Sequence, residues 1–122
     1  MTFLLASRKL YDKPELVEQF WPEIEAFLQE HLSPDNTILM GNFLTGPLRE
    51  RLQQEGYALK VQPQARHSLA NHNKKMIREN EQVLLIRVDG STGMGKFSAY
   101  AKEQGKPFFM LELESDDCKN SR

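Results

Sequence analysis

The residues Asp89-Gly90-Ser91-Thr92-Gly93-Met94-Gly95 carry the clearest chemistry in this chain, because the apolar run Val83-Leu84-Leu85-Ile86-Arg87-Val88 enters them and a helical pattern leaves them. Three glycines in six positions let the backbone adopt positive φ and approach a ligand with no Cβ in the way. A helix starting near Thr92 or Gly93 turns its unpaired N–H groups and the positive end of its dipole toward that turn. An anion is the natural guest. The spacing is neither the dinucleotide fingerprint G-x-G-x-x-G nor a P-loop, since Phe97 follows Gly95-Lys96 where serine or threonine is needed. The competing reading is a strand-to-helix turn that needs glycine for geometry alone.

Other polar residues fall at strand ends. Arg8 follows the first strand, where a planar guanidinium can meet a phosphate or carboxylate, and Ser7 beside it offers a hydroxyl. Their ordinary roles are an arginine paired to a helix carboxylate and a turn-capping serine. Gly41-Asn42 ends the second strand. Asn73 and His72 lie on the third helix, in a basic run with Arg66, His67, Lys74, Lys75 and Arg78 that either attracts phosphate or is a solvated face. His31, His67 and His72 have no metal-ligand spacing, so no metal site is expected. Asp89 is the carboxylate in the proposed cleft, but the sequence forces no acid–base partner on it. There is no Gly-x-Ser-x-Gly elbow, and Cys118 in a polar tail lacks the basic neighbours of an activated thiolate.

Periodicity supplies the elements that position these groups. Apolar runs at 2–7, 37–40, 57–62, 82–88 and 107–113 read as strands, and amphipathic segments alternate with them. The first helix is expected from Asp12, in a capping box with Glu15, and its apolar positions Leu16, Val17, Phe20, Trp21, Ile24, Phe27 and Leu28 form a core face. Pro22 should kink or split it. The second helix opens at Thr45-Gly46-Pro47 and stops at Gly56, the third covers 68–80, and the fourth runs 92–104 to a stop at Gly105. This alternation predicts an α/β, doubly wound three-layer sandwich with a five-stranded parallel sheet in the order 3-2-1-4-5. Ligands of such sheets bind beyond the carboxyl ends of the strands, here between strands one and four.

At 122 residues the chain reads as a single domain over 1–113 with a polar tail at 114–122. A net charge of −1 gives no global attraction to nucleic acid or anionic membrane. One cysteine, with no partner for a disulfide, fits a cytoplasmic setting, and the apolar run 3–6 is far too short for a signal core or a membrane span.

Taken in order, Ala6-Ser7-Arg8 with Tyr11-Asp12, Gly41 with Thr45-Gly46, His72-Asn73 with Met76, and Asp89-Gly90-Ser91-Thr92-Gly93 resemble the SLOG superfamily over about residues 2–112. The likeness is greatest to its small YspA-type members, relatives of the DprA DNA-processing proteins and the LOG phosphoribohydrolases. The resemblance implies a Rossmann-like nucleotide-binding domain. By position, Ser7 and Arg8 match the Gly-Ser-Arg of the first loop, Gly41 and Gly46 the second glycine pair, and Asn73 the Arg-Asn of the third helix. Gly90, Thr92 and Gly93 match the Gly-Gly-x-Gly-Thr turn. The chain departs from the pattern at Ala6, at Asn42-Phe43-Leu44 and at Pro47. After the last turn, Met94-Gly95-Lys96-Phe97 lacks the glutamate of the phosphoribohydrolase branch, which argues against the enzyme.

The expected function is therefore a non-catalytic module that binds a nucleotide or nucleotide-derived ligand. Its expected contacts are Ser7, Arg8, Gly41, Asn42, Asn73, Asp89, Gly90, Ser91, Thr92, Gly93 and Gly95, with no cofactor beyond that ligand. The alternatives are a nucleoside 5′-phosphate N-glycosidase using Asp89 to stabilise a cation-like sugar, and a ligand-free interaction or assembly module. Ala6, Phe43 and Leu44 near the cleft mouth favour the last of these, with a partner or a homo-oligomer contact there.

Overall fold

A strand that is apolar at successive positions, as Val83-Leu84-Leu85-Ile86 is, has no solvent face and must be covered on both sides. The computed structural model places it so. The structure describes the chain except residues 34, 42–45, 63–68, 91 and 116–122, and except the side chains at 41, 62, 69, 70 and 92–94. Its elements in chain order are β1 Thr2–Ala6, α1 Arg8–Asp12, α2 Pro14–Gln19, α3 Trp21–His31, β2 Ile38–Gly41, α4 Gly46–Gln54, β3 Leu59–Gln62, α5 Leu69–Glu79, β4 Gln82–Val88, α6 Thr92–Glu103 and β5 Phe108–Leu113. The five strands form one sheet in the order β3-β2-β1-β4-β5, every neighbouring pair parallel. This is a doubly wound α/β sandwich with a Rossmann-like order.

The two sheet faces carry separate cores. On one, Leu4, Ile38, Met40, Leu84 and Ile86 pack against Leu10, Val17, Ile24, Leu28 and Leu52 of the first four helices. On the other, Phe3, Leu5, Leu39, Val83 and Leu85 pack against Met76 and Ile77 of α5 and Phe97 and Ala101 of α6. Register lines up the second core across the middle of the sheet, where Leu5 pairs with Leu85 and Leu85 with Met110.

The expected first helix is corrected in detail. Its span divides in two, α2 and α3, as Pro22 leads one to expect, but Asp12 ends the separate short helix α1 instead of capping the next; Lys13 takes the N-cap position of α2 with no side-chain cap bond. The second break falls at Phe20, and Pro22 sits in the first turn of α3. Both outcomes follow from proline having no N–H. Pro14 and Pro22 cost least where no intrahelical donor is required, so each marks a helix start.

Arg51 of α4 locks two of these short pieces together. Its Nη1 donates to both oxygens of Glu18 at 2.8 and 2.7 Å, Nη2 lies 3.1 Å from Glu55, and the guanidinium carbon stands 4.9 Å from the Trp21 ring centre. Lysine would keep the charge and lose the planar fork. Arg51→Lys is expected to lower stability by about 1 kcal/mol in urea unfolding, with no change in the far-ultraviolet spectrum.

Candidate functional site

The first and fourth strands are neighbours, so their carboxyl ends form the switch point of the sheet. The backbone there is cross-stitched. The Ser7 N–H donates to the Ile86 carbonyl at 2.8 Å, and the Ser7 Oγ accepts from the Val88 N–H at 2.9 Å. That second bond accounts for α1 starting after Ser7 with no side-chain cap bond: the hydroxyl is already committed to β4. Ser7 is 2 % exposed, in keeping with that bracing position.

Past Val88 the chain turns through two residues with positive φ, Asp89 at +54° and Gly90 at +68°. Gly90 does this without cost, whereas Asp89 is the described non-glycine residue with positive φ. The bonds around Asp89 account for it. Its N–H donates to the Leu113 carbonyl at 2.8 Å. Its Oδ1 accepts from the Ser115 N–H at 2.7 Å, and Oδ2 accepts from the Ser115 hydroxyl at 2.6 Å and from the Lys9 ammonium. Burial alone pushes this carboxyl up, but the bonds from Lys9 and Ser115 outweigh it and hold the group at about 2, below the ordinary 3.8. Asp89 is thus ionised across the neutral range. It is poorly suited to donate a proton and well suited to anchor a turn.

Arg8 lies on the outer side of the same strand end. Its side chain is 70 % exposed, with Nε 3.5 Å from the Asp12 carboxylate one helical turn on. Gly41 ends β2. Gly46 opens α4, where an added Cβ would stand 2.8 Å from the Tyr11 ring, so the close approach of that ring is one reason for glycine here. Thr92 begins α6, Gly93 and Gly95 lie in its first turns, and the helix then runs twelve residues. Asn42 and Ser91 lie outside the described residues, as do Phe43, Leu44, Thr45, Arg66, His67 and Cys118.

Asn73 and His72 are each 3 % exposed on the inner side of α5. No hydrogen bond among the described residues joins Asn73 to Ser7, Arg8 or Asp89. Lys74 and Arg78 occupy the outer side: the ammonium is 5.4 Å from the Tyr100 ring centre, and Arg78 donates to the Tyr100 hydroxyl at 2.9 Å. They gather around an aromatic ring on α6, away from the turn after β4.

The structure thus brings Ser7, Arg8, Asp89, Gly90 and the start of α6 to one end of the sheet. It adds two residues that sequence reasoning passed over. Lys9 adjoins Arg8 and bore the same signal, whereas Ser115 sits in a polar tail with nothing to mark it. A cleft of about 610 Å³ opens at the opposite, amino end of the sheet. Shape and chemistry therefore point to different ends, and convergence of turns, helix start and exposed arginine ranks the carboxyl end first for an anion.

Among the described residues no group of three or more histidine, cysteine or acidic side chains is arranged to hold a metal ion. None of the described helices is long and apolar enough to cross a membrane. Comparisons with family models, with curated proteins and with solved structures return no match to this chain.

Proposed function

We propose that this protein is a non-catalytic, SLOG-type binding module for a nucleotide or nucleotide-derived ligand, held in the crevice between the carboxyl ends of β1 and β4. The observation that carries the reading is the strand order, with the positive-φ turn at Asp89-Gly90 and the start of α6 both at its switch point. A phosphate there meets free N–H groups and the positive end of a twelve-residue helix. Arg8 supplies the mobile charge, since an exposed pair such as Arg8–Asp12 is weak and yields readily to a phosphate. Ser7 and Asp89 brace the turn. Asn73 and the second-strand glycine Gly41 shape the walls.

Asp89 weighs against the glycosidase alternative, because three donors already occupy a carboxylate that would have to serve a reacting sugar. A cytoplasmic homo-oligomer belongs to the same reading. β5 is an edge strand whose Phe109 is 40 % exposed, which favours a contact between copies.

Calorimetric titration with a panel of nucleoside mono-, di- and triphosphates should give saturable binding of at least one. Arg8→Ala should weaken it by about tenfold or more, the worth of a charge-assisted hydrogen bond. No heat from any nucleotide would remove the proposal. Chromatography of the same mixtures should show no free base; base release lost in Asp89→Asn would install the hydrolase instead.

A further inference from the structure

We infer that the cleft at the amino end of the sheet is a second binding site, for an organic cation: a primary ammonium carried on a short alkyl chain. It is independent of the nucleotide reading, since it lies where the strands begin and not where they end. Its walls are the C-terminal half of α3, the entry to β2 at Asn36, and the connection from α4 to β3 at 55–58. At about 610 Å³ it falls within the range of small-molecule sites.

The lining sets the class of ligand. Leu28 and Leu32 form an apolar floor, continuous with the core beneath α3. Glu25 of α3 and Glu55, just past the end of α4, line the cleft together with Tyr57. Glu55 is shared with Arg51 at 3.1 Å, whereas Glu25 enters no ion pair among the described residues. One carboxylate charge is thus uncompensated beside an aromatic ring, an arrangement that attracts an ammonium group by Coulomb and cation–π terms together. The methylenes of the alkyl chain then lie on leucine while the head reaches the acid, as lysine side chains do on protein surfaces. An anion is repelled, and a neutral alkyl compound gains the floor alone.

The Tyr57 hydroxyl reports the same field. Burial first, then the Glu25 and Glu55 carboxylates, push its pKa above 10.0. The walls are also firmly built. The Gly56 N–H donates to the Gln53 carbonyl and the Tyr57 N–H to the Leu52 carbonyl, each at 3.1 Å, and the Ile38 N–H donates to the Ala58 carbonyl at 2.9 Å. A ligand therefore meets a site that needs little ordering.

The test is a titration of the ¹⁵N-labelled protein at neutral pH with n-butylamine, with butan-1-ol and butyrate as matched controls and with N-acetyl-lysine methylamide as a further arm. The amine should shift the amides of Gly56, Tyr57 and Ala58 saturably, while the alcohol and the carboxylate should not. Glu25→Gln, a surface change that leaves the core alone, should weaken the amine by about three- to fivefold. Glu25→Lys should abolish saturation while the spectrum elsewhere stays folded. Tighter binding of the lysine derivative would assign the cation to a protein partner's side chain, and tighter binding of the free amine to a small metabolite. Equal shifts with butan-1-ol, shifts scattered over all surface carboxylates, or binding indifferent to Glu25 would overturn the inference.

Discussion

Alanine in place of Asp89 is expected to lower the free energy of unfolding by about 3 kcal/mol, with a cooperative transition preserved. The change strips acceptors from the Ser115 N–H and hydroxyl and from the Lys9 ammonium, and leaves a residue that dislikes positive φ at +54°. Two further variants separate those causes. Glycine loses the carboxylate but accepts the backbone angle, so Asp89→Gly should be less harmful than alanine by up to about 1 kcal/mol. Asparagine keeps the shape and some acceptor capacity, so Asp89→Asn should be the mildest, and it isolates the charge. If all three variants unfold at the wild-type urea concentration, the turn is not anchored by this side chain.

The charge also fixes a pH signature. With a folded value of about 2 against an ordinary 3.8, the unfolded chain binds more protons than the native one between those limits. Stability therefore rises with pH through that window. The Asp89 contribution, about 2 kcal/mol, is complete above the ordinary value and fades as pH falls through 3.8 toward 2. In Asp89→Asn this component should be missing. Urea midpoints collected from pH 2 to 6 for both proteins should converge at the acid end and separate toward neutrality.

The second large effect concerns the core. Leu84 and Leu85 are adjacent, both fully buried, and point to opposite faces of β4. Each truncation to alanine should cost about 3 kcal/mol, because each removes methyl groups from a packed layer and leaves a cavity. A domain stabilised by about 5–15 kcal/mol loses a large share of its margin to either. The informative outcome is their similarity. Were one face of the sheet open to solvent, one of the two leucines would be nearly neutral, and urea unfolding of the pair would show it.

That same pair explains what was legible in advance. An unbroken apolar run such as Val83-Leu84-Leu85-Ile86 admits few architectures beyond a central parallel strand, and with alternating helices it leads to the 3-2-1-4-5 order. The strand at 82–88 agrees to the residue, and others shift by one or two, as at β3, which begins at Leu59 after Tyr57-Ala58. The segment 8–31 was the hardest to read. Its apolar spacing is continuous through two prolines; Pro22 signals the split, but only the backbone reveals a separate short helix before Pro14, leaving Asp12 at the end of one instead of the start of the next.

The positions of the candidate site residues were more legible than their bonds. Position after a strand end drew attention to Ser7 and Asp89, and they follow β1 and β4 at the carboxyl end of the sheet. Spacing carries no information on which neighbour takes a hydroxyl or carboxylate, and here those neighbours are Val88 and Ser115, 81 and 26 residues away in the chain. The amino-end cleft left no trace at all, because Glu25 and Tyr57 belong to segments that only the folded topology brings together.

The long reach of those two bonds bears on how the protein is made. A ribosome delivers Ser7 long before Ser115, so β1, β2 and β3 can emerge and pair while the turn at Asp89 still lacks a later partner. Vectorial synthesis thereby sets the turn after β4 later than the strands that precede it. A nascent or prematurely ended chain stopping short of Ser115 holds most of its sheet but lacks the Ser115 bonds to Asp89, and so becomes compact before this turn is fully anchored.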